Sequence, residues 1–181
     1  MLEVPQGKSA GALWMQNMQI QYLSLLQILV LITIANGAPV IVKWIFGGKF
    51  SQPLDGNIKF FDGRPLFGAS KTICGTAVSI LVTSACAPLV GLKLQIGAVV
   101  AVTAMAGDLL SSFLKRRLGW PPSSQAVGLD QIPESLFPLL ACRQALAFSV
   151  LDIAIGTALF LVGEVLLSRL LFRLRVRDRP Y

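Results

Sequence analysis

Residues 107–119 read Gly107-Asp108-Leu109-Leu110-Ser111-Ser112-Phe113-Leu114-Lys115-Arg116-Arg117-Leu118-Gly119. They place a carboxylate near the end of an apolar run and follow it with three consecutive cations. A charge within a hydrophobic helix costs about 2.5–3.5 kcal/mol even on the gentler insertion scales, so it persists where it faces a polar cavity and has a task. An acid and a basic cluster at one membrane face point to a site for a metal and for phosphates.

The whole chain agrees with a membrane setting. Of its 181 residues 54% are hydrophobic and 14% charged, against roughly 25% charged in soluble domains. Mean hydropathy is +0.68. Apolar stretches lie near 20–44, 74–92, 94–114, 132–150 and 152–172. Each is about the length of a bilayer span, which predicts an all-α integral membrane protein of five transmembrane helices forming one domain over 1–181. The last two spans are expected as a tight hairpin joined around 149–153, since one uninterrupted run would be too long for a single helix. The first twenty residues hold one lysine and no compact apolar core before a small-residue cleavage site, so no secretory signal is expected.

Net charge is +7. The cations cluster in loops beside apolar spans, which is a topology signal, and no stripe suited to nucleic acid is visible. Lys43, Lys49, Lys59, Arg64 and Lys71 follow span one, Lys115 to Arg117 follow span three, and Arg169, Arg173, Arg175, Arg177 and Arg179 follow span five. Only Lys8 and Lys93 remain for the other side. Five spans therefore place the N-terminus outside, the C-terminus in the cytoplasm, and two long cytoplasmic loops at 45–73 and 115–131. Function is expected in those loops, at the cytoplasmic face of the inner membrane.

No histidine is present, which removes His-based triads and metal sites, and leaves oxygen ligands for a hard ion such as magnesium. Cys74, Cys86 and Cys142 lack paired spacing and read as small buried hydrophobes. On a helix Asp108, Ser112 and Lys115 fall at i, i+4 and i+7, sharing one face. Asp130 and Glu134 share another by i, i+4 spacing, where like charges repel unless a cation or proton lies between them. Two readings stand for these acids: a three-carboxylate cup with Asp108, or first-turn helix chemistry beside Pro133. Likewise Asp108 either serves a site or pairs with a neighbouring helix. In the first loop, glycines such as Gly63 and Gly68 let backbone N–H groups approach a phosphate, with Arg64 and Lys71 to neutralise it. A P-loop is excluded, because no strand precedes it and Gly-Lys-Ser/Thr is not contiguous. Asn36, Gly37 and Pro39 interrupt span one and predict a kink, with Asn36 a candidate for the polar cavity.

Four stretches together resemble the CDP-archaeol synthase family, relatives of the phosphatidate cytidylyltransferases. They are Asn36 to Pro39; Asp62-Gly63-Arg64 through Gly68 to Ser70-Lys71-Thr72; Gly107-Asp108-Leu109 through Ser112 to Lys115-Arg116 and Gly119; and Leu129-Asp130-Gln131. The resemblance covers about 36–140 and implies five transmembrane helices, two cytoplasmic loops that bind CTP, and magnesium held at Asp108 and Asp130. Two departures stand out: Cys74 where the family carries an arginine, and Pro133-Glu134 where it often carries a second aspartate.

The expected reaction is attack of a lipid phosphate, phosphatidate-like or ether-linked prenyl glycerol phosphate, on the α-phosphorus of CTP, yielding a CDP-lipid and pyrophosphate. A phosphomonoester has its second pKa near 6, about where it is already ionised at neutral pH, so no general base is needed. Asp108, Asp130, Lys71 and Lys115 are the expected catalytic residues. Asp108 and Asp130 with Glu134 are the expected metal ligands. Asn36, Arg64, Gly68, Ser70, Lys71, Thr72, Ser112, Lys115 and Arg116 are the expected binding residues. The rival reading is a small transporter or channel subunit with Asp108, Arg143 and Glu164 along its path. Arg143 and Glu164 are otherwise expected to pair across the last two spans, at similar depth.

Overall fold

The computed structural model describes residues 10–46, 52–122, 124 and 126–173; Lys8, Lys49, Arg175, Arg177 and Arg179 lie outside them. Among the described residues five α-helices follow one another: α1 Ala10–Phe46, α2 Ile73–Cys86, α3 Leu94–Arg117, α4 Gln131–Ala141 and α5 Val150–Arg173. Among the described residues there is no strand, only isolated bridges Pro53 to Thr72 and Lys59 to Pro65 in the first loop. Among the described residues four segments are long and apolar enough to cross a membrane: Gln21–Ile45, Ile73–Val90, Leu94–Arg117 and Val150–Leu170. Large apolar side chains such as Leu81, Leu151, Val162 and Leu166 stay more than half exposed. On a soluble protein such coverage would drive aggregation; around an apolar bundle it is the surface that meets lipid.

At the position of the expected kink the helix is continuous. α1 runs through Pro39 as one helix. Proline removes the hydrogen bond to the carbonyl four residues earlier, which here is Ala35. The Ser79 hydroxyl of α2 donates to that carbonyl at 2.6 Å. The lost bond is thus replaced from a neighbouring helix, and the replacement locks α1 to α2. Gly75 sits where a Cβ would come within 3.2 Å of the Pro39 ring, so the two helices touch almost backbone to backbone.

The predicted fourth span over 132–150 is corrected. Its helix covers only Gln131–Ala141, about 16 Å at 1.5 Å per residue against a hydrocarbon core of about 30 Å. Turns take over after Ala141, and α5 begins two residues earlier than expected. Ser149 and Asp152 form a reciprocal cap: the Ser149 amide and hydroxyl donate to Asp152 Oδ2 (2.9 and 2.7 Å), and the Asp152 amide donates back to the Ser149 hydroxyl. That cap fixes Val150 as the first residue of α5.

Contacts between helices define two ends of the bundle. At one end Gln27 donates to the Val90 carbonyl (2.6 Å) and Gln21 to the Ala147 carbonyl (3.4 Å). At the other Asn36 reaches Glu134 and Lys71 reaches Asp108. Between the ends lies an apolar core of Leu25, Ile28, Leu31, Ile32, Leu139 and Phe160.

The crossing of α3 over α4 is tightest at Gly107, where an added Cβ would overlap the Pro133 carbonyl. This contact sets Asp108, one residue on, beside Glu134. Forcing a methyl into such a contact costs about 1–3 kcal/mol. Gly107→Ala should therefore lower the melting temperature in detergent, whereas Gly163→Ala, inside α5 and with nothing within 4 Å of its Cβ, should leave it the same or raise it through the better helix propensity of alanine. Equal melting curves for wild type and Gly107→Ala would contradict this packing.

Candidate active site

The first loop is organised by Asp55, a buried carboxylate that the sequence reading passed over. Its Oδ1 accepts from the Asn57 amide, and its Oδ2 from the Phe67 and Gly68 amides, each at 3.0 Å. Burial works against its ionisation, but these N–H donors outweigh it and hold the carboxyl below the ordinary value of 3.8. The far end of the loop is tied down by Leu54 N donating to Lys71 O (2.7 Å) and Ile73 N to Gln52 O (3.1 Å). Thr72 then caps α2, accepting from the Gly75 amide at 3.1 Å. Lys71 is left with little choice of direction.

Its ammonium contacts both carboxylate oxygens of Asp108 on α3. Burial alone would lower the Lys71 pKa; Asp108, with Glu134 and Asp130 beyond it, outweighs that and raises it above the usual lysine value. Asp108 and Glu134 lie within hydrogen-bonding reach of each other. Asn36 Nδ2 donates to Glu134 Oε2 at 2.9 Å, while Asn36 Oδ1 is buried without a hydrogen-bond partner. A cavity of about 40 Å³ adjoins this cluster, lined by Ser70, Lys71, Thr72, Gly75 and Asp108 among others. Three helices and one loop thus bring Asn36, Lys71, Asp108 and Glu134 together.

Asp130 stands apart from that group. It pairs with Lys115 at 2.7 Å, and its Oδ2 accepts from the Ala126 amide at 2.9 Å. Lys115 also donates to the Ser124 carbonyl. The expected three-carboxylate cup of Asp108, Asp130 and Glu134 does not form: among the described residues no three His, Cys, Asp or Glu side chains make a metal-binding group. The donor set present is Asp108 and Glu134 with the orphaned amide oxygen of Asn36. All are hard oxygens, the donor type that suits a magnesium ion, and Lys71 already supplies one positive charge beside Asp108.

Arg116 is buried on α3 with one donor engaged, Nη2 to the Pro121 carbonyl (2.8 Å), and with Nε and Nη1 lacking partners. A Cβ on Gly68 would come within 3.4 Å of Arg116 Nη1, and the φ of +93° at Gly68 is one that glycine adopts without strain. The loop glycine and the guanidinium are therefore adjacent. Ser112 is buried on α3 one turn before Arg116, and Ser70 lies on the loop beside Lys71. Arg64 is used differently from the expectation. Its Nη1 donates to the Arg117 and Arg116 carbonyls (2.6 and 3.3 Å), satisfying the C-terminal end of α3. Arg117, unassigned from the sequence, holds Asp62 at 2.7 Å and lies over the rings of Phe60 and Phe113.

The expected Arg143 to Glu164 pair is absent. α4 stops at Ala141, so Arg143 falls in the turn beyond it, exposed, near the Gln21 end of the bundle. Glu164 instead accepts from Gln131 Nε2, while Gln131 Oε1 accepts from the Gly128 amide (2.7 Å). Equal depth had assumed two full-length antiparallel helices.

A helical membrane bundle with a buried acid and base cluster at one end is the form of an intramembrane enzyme acting on lipids. The family model described as CarS-like, CDP-archaeol synthase, matches residues 19–181. The CDP-archaeol synthase of Hyperthermus butylicus is 41% identical over 117 residues, covering 61% of this chain and 67% of that protein. That of Pyrococcus furiosus is 34% identical over 138 residues, 71% of this chain and 76% of the other. A solved structure of an intramembrane enzyme for archaeal membrane lipid biosynthesis aligns with a TM-score of 0.62 and 27% identity, over 75% of this chain and 89% of that one. The chain belongs to the CDP-archaeol synthase family, whose members are cytidylyltransferases.

Because the folded pKa of Asp55 lies below its unfolded one, its contribution to stability is complete above that ordinary value and is lost as pH falls through the folded value. Asp55→Ala leaves buried N–H donors unsatisfied, at about 1–3 kcal/mol. The variant should melt lower at neutral pH, and the gap from wild type should shrink in acid. A gap that stays constant down to a pH below the carboxyl range would contradict the role of the charge.

Proposed function

We propose that this protein transfers the cytidylyl group of CTP to the phosphate of a membrane lipid and releases pyrophosphate. The acceptor class that the relatives' name favours is an ether-linked prenyl glycerol phosphate, as opposed to an ester phosphatidate. The observation that carries the reading is the Lys71 to Asp108 contact beside Glu134 and Asn36, at the end of the bundle where the basic loops gather.

Orientation follows from charge. Lys43, Lys59, Arg64, Lys71, Lys115 to Arg117, Arg169 and Arg173 accompany the Asn36 end, while Lys93 and Arg143 accompany the other. The positive-inside bias puts the crowded end in the cytoplasm of a cell bounded by this membrane. The segment 131–149 leads from Asp130, near Lys115, to Ala147, near Gln21, by a short helix and turns. That supports five passages through the bilayer in one domain, the fourth of them only half helical, with the N-terminus outside and the C-terminus inside.

Chemically, an ionised phosphate must approach a polyanionic nucleotide, and the barrier is mainly charge and position. Arg116, with two unpartnered donors beside Gly68, is placed to bind nucleotide phosphates, and Lys71 and Lys115 to neutralise the pyrophosphate as it leaves. Asp130 holds Lys115 in place. Asp108, Glu134 and Asn36 Oδ1 would hold magnesium, which when bound supplies charge neutralisation at the phosphate oxygens. Arg64 positions the α3 terminus, and the Thr72 cap holds the start of α2 beside Lys71. The transporter reading loses its basis, since Arg143 and Glu164 share no path.

Removing a preorganised charge at such a site costs about 10²–10³-fold in turnover. Asp108→Asn and Lys71→Met should each lower CDP-lipid formation by that order in a CTP and magnesium assay. Lys93→Met, at the opposite end, should not. Retention of wild-type activity by either site variant would overturn the assignment.

A further inference from the structure

At the tip of the first loop the chain turns back on itself in a tight hairpin over residues 58–66. The Leu66 amide donates to the Ile58 carbonyl (3.2 Å), the Phe60 amide to the Arg64 carbonyl (2.8 Å) and the Gly63 amide to the Phe60 carbonyl (2.9 Å). Arg117 ties the hairpin to the end of α3, with Nη1 donating to Asp62 Oδ1 (2.7 Å) and Nη2 to the Pro65 carbonyl (2.6 Å). The tip is fixed in place, and yet Ile58 is 60% and Phe61 100% exposed. Phe60 meets Phe113 of α3 edge to face with centroids 5.4 Å apart, and Phe61 lies edge-on to Phe60 at 5.1 Å.

Phe113 gives the hairpin its place relative to the bilayer. Val99, Val102, Ala106 and Leu110 follow one another along α3 at three- and four-residue spacing and are exposed, which marks them as the stripe of the helix that meets lipid. Phe113 and Arg117 continue the same spacing. The hairpin therefore lies against the lipid-facing side of α3 and not over the axis of the bundle. Its depth follows from helix length. Between Leu94, the first residue of α3, and Phe113 the helix rises about 29 Å, against a hydrocarbon core of about 30 Å. Ile58 and Phe61 accordingly sit at the boundary between acyl chains and headgroups, the zone in which amphipathic aromatic residues concentrate. Lys59, exposed between them, is a cation at the level of lipid phosphates.

We propose that residues 58–63 form an interfacial anchor, in which Ile58 and Phe61 insert into the lipid leaflet at this end of the bundle and Lys59 meets its anionic headgroups. The other class of occupant is a soluble protein, but a ring held at the level of the last apolar turn of a membrane helix, on that helix's lipid-facing side, meets lipid first. The chain leaving the hairpin runs through Phe67 and Gly68, whose amides hold Asp55, and ends at Lys71 on Asp108. The loop is thus held at its base by Asp55 and at its tip by the membrane surface. This inference stands on the packing of the hairpin and does not depend on the reaction proposed above.

The test uses the full-length protein in vesicles of phosphatidylcholine with phosphatidylglycerol. A nitroxide spin label is attached through Phe61→Cys after Cys74→Ala, Cys86→Ala and Cys142→Ala remove the native thiols. Its collisions with oxygen, which concentrates among acyl chains, are compared with its collisions with a water-soluble nickel chelate. Leu110→Cys, on the lipid-facing stripe, supplies the lipid reference, and the free label in buffer the aqueous one. The oxygen-to-nickel ratio at position 61 should approach that at position 110. A ratio equal to that of the free label would put the tip in water, open to a soluble partner, and would overturn the proposal. Leaving out phosphatidylglycerol should lower the ratio when Lys59 is present and leave it unchanged with Lys59→Gln; an equal fall in both contradicts the part given to Lys59. If the cysteine-free chain does not fold, Phe61→Trp is compared with the wild type and its three tryptophans. Phosphatidylcholine brominated on its acyl chains should then quench a larger share of the emission of the variant, and an unchanged share overturns the proposal equally.

Discussion

One ion pair ties the architecture together. Lys71, at the end of the first loop, and Asp108, on α3, are each costly to place at the end of an apolar bundle, and each makes the other tolerable. The pair needs the loop to arrive in one conformation, which Asp55 and the Thr72 cap provide, and needs α3 to lie close to α4, which Gly107 permits. Breaking it would leave an uncompensated charge beside Glu134, so stability and site geometry are coupled through this contact.

The helices are held by complementary exchanges. A proline that frees the Ala35 carbonyl is answered by a serine from α2, and the turn of α1 that follows carries Asn36 to Glu134. Gln131 links Glu164 on α5 to the backbone before α4. In a bilayer, where apolar packing against lipid and against protein is nearly equivalent, such polar links and close glycine contacts supply much of the specificity of association.

Much of this was legible in the sequence because intramembrane charge is expensive and therefore informative. Asp108, the basic run after it, Lys71 and Asn36 were all identified by charge or by helix interruption, and four of the expected spans are long helices. The fourth was misread because hydropathy reports apolar length and not backbone conformation: α4 ends at Ala141 and turns carry the chain to the Ser149 to Asp152 cap that starts α5. The Arg143 to Glu164 pair failed for the same reason. Asp55 and Arg64 were misjudged because their partners are backbone groups: amides twelve and thirteen residues on for Asp55, and the end of α3 for Arg64. Glycine and charge counts carry no trace of such contacts. The Arg117 stack on Phe60 likewise depends on a loop fold that periodicity does not encode. Asp130 was grouped with Glu134 by spacing and with Asp108 by the end of the span and the family resemblance, whereas in the structure it pairs with Lys115.

The central claim is that Lys71 and Asp108 form a nucleotide site as well as a structural link. Calorimetric titration of CTP with magnesium into wild type, Lys71→Gln and the charge-removed double variant Lys71→Gln/Asp108→Asn tests it most directly, with the melting temperature of each taken in parallel. The account predicts that Lys71→Gln both melts lower and weakens CTP binding about tenfold or more, in line with the loss of a charge-assisted contact. It predicts that the double variant regains melting temperature but not CTP affinity. Full CTP affinity in either variant would show that the pair is structural alone and would contradict the account.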